Sequence, residues 1–245
     1  IVHCGSGPLF LLVWPLFSTN LSAIILAATV PLVNCARLIK AAGGPRKALE
    51  ALSSTRFVPE EGVSRLLWAT PDDGSRDWQA PPPDIPAKEQ DSLIMAISRS
   101  GRPEEVAQGP LLYSLILVLG VLGGWRTSMA GLMAITQMAA GDGLADIVGR
   151  RWGKTKWPWS KRKSVVGTCA FIVGAAVVTV GEVVWFNQFG LLPVLTALVV
   201  QKIVLISVVC GIVELLPSER YLPGKLGDDN LTVPFMAFAL SALLF

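Results

Sequence analysis

Apolar residues run through this chain in long blocks, interrupted by short polar joints and two polar loops. Seven blocks stand out, at 7–18, 21–39, 110–125, 127–140, 165–186, 190–213 and 231–245. A helix crosses the hydrocarbon core of a bilayer with about 20 apolar residues, within a range of about 17 to 25. The blocks therefore predict helices of membrane-spanning character. The fifth and sixth are the clearest, because from Val165 to Val213 the only charged residues are Glu182 and Lys202. These two are expected to pair with each other. The first block carries Pro8 and Pro15, and the short third and fourth are separated by Gly123-Gly124-Trp125-Arg126. Gly167, Gly174, Ala175, Ala176 and Gly181 are small enough to let helices approach closely. The expected fold class is all-α: a polytopic integral membrane helix bundle of about six to seven transmembrane helices, forming one domain over 1–245.

The polar loops differ from one another. Loop 40–109 is rich in proline, and its centre is Pro81-Pro82-Pro83. Between Lys40 and Asp91 it holds seven basic and nine acidic residues. Within it, 41–89 reads as a Pro-rich, poorly ordered insertion without apolar periodicity. Leu93, Ile94, Ala96 and Ile97 then fit a short amphipathic helix at a membrane surface. Loop 150–163 carries Arg150, Arg151, Lys154, Lys156, Lys161, Arg162 and Lys163 and no acid, which marks the cytosol-equivalent face. If all seven blocks cross, the start of the chain and the loops 40–109, 141–164 and 214–230 share that face. The opposite loops are very short. All polar chemistry is thus expected on the basic face, as an enzyme drawing a soluble substrate from that side requires.

Composition narrows the class. Apolar residues make up 52% and charged residues 16%, with a mean hydropathy of +0.54. That is too little charge for a soluble domain, which carries about a quarter, and too much apolar residue for a disordered chain. A net charge of +3 argues against a nucleic-acid partner; the expected partner is the lipid bilayer. Residue 1 is Ile, and the chain reads as the inner part of a longer precursor whose transit peptide is not included. Cys4, Cys35, Cys169 and Cys210 are unpaired in spacing and are expected to be buried reduced thiols.

The stretch richest in chemistry is Gly141-Asp142-Gly143-Leu144-Ala145-Asp146-Ile147-Val148-Gly149-Arg150-Arg151-Trp152-Gly153-Lys154. Asp142 and Asp146 stand four apart and share one helix face. Two carboxylates there repel each other unless a divalent cation lies between them, and Mg²⁺ takes carboxylate and phosphate oxygens. Glycines 141, 143, 149 and 153 leave room for a phosphate chain, which Arg150, Arg151 and Lys154 could neutralise. The pattern is not a Walker loop. The alternative is a capped, salt-bridged helix end. A second acidic cluster, Asp228-Asp229-Asn230, follows Glu214; it reads as a solvated turn and N-cap or, by parity, as part of the same site. His3, the single histidine, and Asn34, inside the second block, are further candidates. A Ser-His-acid arrangement is absent.

These residues resemble the polyprenol kinase family. G-D-G-L-A-D-I-V-G-R-R-W-G-K with K-R-K-S-V-V-G-T at 161–168 is similar to its plant and algal phytol and farnesol kinases. Dolichol kinases and CDP-diacylglycerol synthases are more distant. Ile1-Val2-His3, Pro31-Leu32-Val33-Asn34 with Arg37, Ser98-Arg99-Ser100-Gly101, Gly109-Pro110-Leu111, Glu214-Leu215-Leu216-Pro217 and Asp228-Asp229-Asn230-Leu231-Thr232-Val233-Pro234 match in the same order. The stretch 51–88 lies outside the resemblance. The resemblance implies a membrane kinase of a plastid that transfers the γ-phosphate of CTP to phytol or a related prenyl alcohol. Asp142 and Asp146 would hold Mg²⁺. Gly141, Gly143, Gly149, Arg150, Arg151, Lys154, Lys163, Ser164 and Gly167 would contact the nucleotide. Asp228, Asp229 and Glu214 would complete the metal site or position the alcohol. Two rivals remain: a CTP-dependent cytidylyltransferase acting on a phospholipid such as phosphatidate, and a non-enzymatic membrane transporter or scaffold.

Overall fold

The computed structural model describes residues 2–53, 106–160, 163–216 and 228–245. Every apolar block becomes helix. In chain order these are α1 (Val2–Leu12), α2 (Leu21–Ala41), α3 (Pro45–Ser53), α4 (Leu112–Gly124), α5 (Met129–Thr136), α6 (Asp142–Trp152), α7 (Val165–Asn187), α8 (Ala197–Leu215) and α9 (Asp229–Leu244). Three of them, α2, α7 and α8, are long and apolar enough to cross a membrane; shorter apolar helices span Gly5–Leu16, Gly109–Gly124 and Asp229–Leu244. The expected all-α bundle is the architecture found.

Local chemistry explains the helix starts. Ser128, Ser164, Thr196 and Asp228 each stand at an N-cap and accept a backbone N–H of the first turn through a side-chain oxygen. Two π-helical turns interrupt the pattern, at Ala107–Leu111, which leads into α4, and at Gln137–Gly141, between α5 and α6. The second corrects a boundary. The fourth block does not end in a loop at 141; the helix continues through the π-turn, and the Asp142 motif lies on it as α6. The loop 40–109 is also not wholly irregular, since α3 occupies 45–53. The proposed insertion beyond 53 and the helix expected after Gln90 lie outside the described residues up to Val106.

Packing follows a chain of neighbours: α2 on α4, α4 on α5, α5 on α9, α9 on α8, α8 on α7 and α7 on α6, with α1 laid against the π-turn 137–141. Leu132, Met133, Ile135, Phe171, Val183, Phe186, Ile203 and Ile206 form the buried centre. Large apolar side chains such as Leu26, Val173, Val177, Leu205 and Phe235 point outward and are exposed. In hydrocarbon, apolar burial gives helices little reason to associate, so close backbone approach and interhelical hydrogen bonds matter more. Gly124 and Gly131 supply such an approach: a Cβ on Gly124 would lie 2.2 Å from the Gly131 nitrogen. Asn34, on α2, donates to the Ser114 hydroxyl of α4 at 2.7 Å.

The pairing expected inside the spans is not found. Glu182 accepts a 2.5 Å hydrogen bond from Thr136. Lys202 instead donates to the Leu244 carbonyl and lies over the Phe245 ring. An apolar run carries no rotational phase, so proximity in sequence order did not translate into a shared face.

Candidate functional site

Three elements meet at one end of the bundle. Asp142 opens α6, Glu214 closes α8, and Asp229 opens α9. One carboxylate oxygen from each lies within 4.8 Å of the other two. Acids in a first turn face the positive end of the helix dipole, which favours Asp142 and Asp229 where they stand. Glu214 is 5% exposed, while Asp142 and Asp229 are half-buried.

Lys163 enters this cluster from the basic loop. Its Nζ donates to Glu214 Oε1 at 2.7 Å and to Asp229 Oδ2 at 2.7 Å. The loop is folded so as to aim it. Lys156 and Ser164 form an antiparallel bridge, Trp157 N donates to the Lys163 carbonyl, and Lys163 N donates to Ser160 Oγ. Trp157 stacks on Trp159 and donates through Nε1 to Thr168 Oγ1, which ties the loop to α7. Ser164, the next residue, caps α7 by accepting from Gly167 N.

The electrostatics follow from this crowding. Burial, then the neighbouring Asp229, push the Asp142 carboxyl up to about 7; Lys163 opposes the rise, while Glu214 and Asp146 add to it. Burial alone would lower Lys163. Asp229, Glu214 and Asp142 outweigh it and hold the ammonium charged, well above its ordinary value. One ammonium therefore faces three carboxylates. Glu214 Oε2 is also buried with no hydrogen-bond partner. A cluster of hard oxygens with uncompensated negative charge and an orphaned buried oxygen suits a divalent cation such as Mg²⁺.

The carboxylates brought together are thus not the Asp142–Asp146 pair that the spacing suggested. Asp146 is exposed and bound to Arg150, its own i+4 neighbour, at 2.5 Å. Asp228 caps α9 and accepts from Asn230 N and Nδ2, with Asn230 also 3.5 Å from Asp229. Arg151 lies over the Trp152 ring, and Lys154 is exposed. His3 falls on α1, with its side chain outside the described residues. Asn34 sits on α2, bound to Ser114.

The glycines behave differently from expectation. A Cβ at Gly141 would press on the Phe171 ring at 2.9 Å, and one at Gly153 would meet Ser164 Oγ at 2.3 Å. At Gly167 it would meet the same oxygen at 2.9 Å, and at Gly149 at 3.1 Å. The room they leave is filled by protein, seating α6 against α7 and the Ser164 cap. Gly143 is buried within α6. Sequence reasoning missed the polar pairs in the bundle centre, Thr136 with Glu182 and Gln137 with Ser207. The signal was present, since Gln137 interrupts an apolar run. Cys35, Cys169 and Cys210 are free thiols, as expected; Cys35 and Cys210 are buried, but Cys169, expected to be buried, is exposed.

Fold and site define a class: an α-helical bundle with an apolar exterior and a carboxylate–ammonium cluster at one end. Comparison with known proteins adds relatives. The chain matches, over all 245 residues, the soybean (Glycine max) protein named probable phytol kinase 1, chloroplastic, at 33% identity. It matches a rice (Oryza sativa subsp. japonica) protein of the same name at 31%, and the Arabidopsis thaliana phytol kinase 1, chloroplastic, at 30%. It spans 66%, 63% and 65% of their lengths. Across its whole length the chain is a relative of the phytol kinases. No family model matches it, and no solved structure does.

Proposed function

We propose that this chain is the membrane-embedded catalytic part of an isoprenoid-alcohol kinase that transfers the γ-phosphate of CTP to phytol or a related prenyl alcohol. The observation that carries the reading is the meeting of Asp142, Glu214, Asp229 and Lys163 at the end of an apolar bundle. Relatives named phytol kinase support the acceptor class, and their chloroplastic naming supports a plastid membrane.

Phosphoryl transfer asks little covalent chemistry of a protein. It needs an in-line approach of the acceptor oxygen and neutralisation of phosphate charge. Asp142, Glu214 and Asp229 would hold Mg²⁺, which when bound supplies charge neutralisation of the donor phosphates. Lys163 is already charged and anchored among the carboxylates, ready to answer a phosphate oxygen. Arg150, Arg151 and Lys154, on α6 and just after it, would add positive charge to meet the donor phosphates. The tail of the alcohol stays among apolar side chains, and only its hydroxyl reaches the polar end.

The test is direct. The protein in detergent is given γ-labelled CTP, Mg²⁺ and phytol, with ATP, GTP and UTP as donors in parallel. Label in phytyl phosphate is expected, most efficiently from CTP. Transfer of the cytidylyl group to phosphatidate with release of pyrophosphate would sink the kinase reading.

A further inference from the structure

One sequence motif is not used by the cluster: the α2 stretch ending in Asn34 and Arg37. Both residues line a groove of about 480 Å³ between α1, α2 and α4, together with Ser6, Phe10, Val30 and Leu117. The groove is graded. Phe10, Val30 and Leu117 make one end of it apolar. Ser6, Asn34 and Arg37 stand toward the end of the bundle where α1 begins and α2 finishes, the end that also holds the carboxylate cluster.

Three details give the polar end a direction. Asn34 spends its Nδ2 on Ser114, which fixes the amide and leaves Oδ1 as an acceptor. Ser6 and Tyr113 hydroxyls are 2.8 Å apart, bracing α1 against α4. Arg37 forms no ion pair among the described residues and is exposed, a guanidinium beside an apolar slot. A ligand matching this gradient has a long apolar tail and a head that first donates a hydrogen bond and later bears negative charge.

The groove also adjoins the reacting end. Gly7, the residue after Ser6, is packed so closely on the π-turn that a Cβ there would lie 2.5 Å from Ala139 Cβ. Ala139 is three residues, under one helical turn, ahead of Asp142. We infer that the α1–α2–α4 groove is the isoprenoid-chain site, with the alcohol and then its monophosphate presented at the Asn34–Arg37 end. This rests on the kinase reading for the identity of the head group, and on the groove alone for the position of the tail. Val30 is exposed to the surroundings of the bundle, so the chain would enter sideways from the lipid.

The experiment separates those two dependences. The full 245-residue chain in lipid nanodiscs is irradiated with a diazirine-bearing farnesol analogue, and the labelled residues are mapped by mass spectrometry. Labelling within 6–10, 29–37 or at 117, displaced by unlabelled phytol, is expected. Val30→Trp and, separately, Val33→Trp, both at exposed positions, should reduce labelling and raise the KM for the alcohol about tenfold. The KM for the nucleotide should not move. Label mapping elsewhere while phosphate is still transferred overturns the groove and leaves the kinase reading standing. Label in the groove without any phosphoryl transfer supports the groove and overturns the kinase reading. Displacement by a diacyl phospholipid as readily as by phytol makes the groove a general lipid contact and overturns the assignment.

Discussion

The two ends of the bundle treat their cations in opposite ways. At the end away from the cluster, Arg126 donates to the Pro15 carbonyl at 2.9 Å, and Lys202 donates to the Leu244 carbonyl at 2.5 Å. Trp125 and Trp185 donate to the Ser18 and Leu12 carbonyls, and Trp14 packs on Trp125. These bonds satisfy carbonyls at or just beyond helix ends that would otherwise lack a partner in an apolar medium, although Trp14 Nε1 and Arg126 Nε stay buried without a partner. At the other end, Lys163 meets carboxylates, and there are more carboxylates than it can neutralise. Cations answered by backbone carbonyls close a structure. A cation outnumbered by carboxylates leaves a charge to be met from outside. The same contrast holds for the two buried glutamates. Each keeps one buried oxygen without a partner; Glu182, 3% exposed, meets a single hydroxyl with the other, while Glu214, 5% exposed, meets an ammonium and stands beside two further carboxylates.

This contrast can be broken in order of expected effect. Asp142→Asn should lower phosphate transfer to a prenyl alcohol by about a thousandfold, with the folded fraction unchanged by size-exclusion chromatography; near-normal turnover would remove Asp142 from the site. Lys163→Met should act with opposite signs on two readouts. Turnover falls by about a hundredfold, while Mn²⁺ binding to the nucleotide-free protein, read by electron paramagnetic resonance, tightens by about tenfold because a competing charge is gone. Weaker Mn²⁺ binding would mean that the lysine holds the carboxylates in place rather than competing with the cation.

Asp146→Asn tests the geometry against the spacing. Its exposed pair with Arg150 contributes about 0.5 kcal/mol or less, and transfer should fall at least about tenfold less than in Asp142→Asn. Equal losses would restore the i,i+4 pair as the metal site. Lys202→Met, at the closed end, should cost about 1 kcal/mol in thermal unfolding through the lost carbonyl bond and leave the nucleotide KM unchanged. Smallest of all, Glu182→Gln keeps an acceptor for Thr136 and should leave transfer within about twofold of the parent; a large loss would bring the bundle centre into the chemistry.

The fold was legible where the physics is one-dimensional. Spanning length is a count along the chain, so the seven apolar blocks could be read off, and parity of crossings gathered Asp142, Lys163, Glu214 and Asp229 on one face. Which of them touch was not legible. Lys163 reaches across 51 residues to Glu214 and 66 to Asp229, and helices that are apolar all round carry no phase to say which side faces a neighbour. The same lack of phase separated Glu182 from Lys202. The glycines were ambiguous for a related reason: a missing Cβ shows that something comes close, and Phe171 and Ser164 are the protein groups that do.

The π-turn at Gln137–Gly141 has a consequence in the language of insertion and descent. Such a turn is an α-helix that has gained one residue, and each residue advances an α-helix by about 100°. The face of α5 that packs on α9 and the face of α6 that packs on α7 are therefore set out of phase by an added residue. Removing any one of residues 137–140 would keep every letter of the Asp142 motif yet swing its carboxylate more than a quarter turn away from Glu214 and Asp229. What a lineage has to preserve here is an angle as well as a string of residues, and a deletion there could silence the site while a motif search still found it whole.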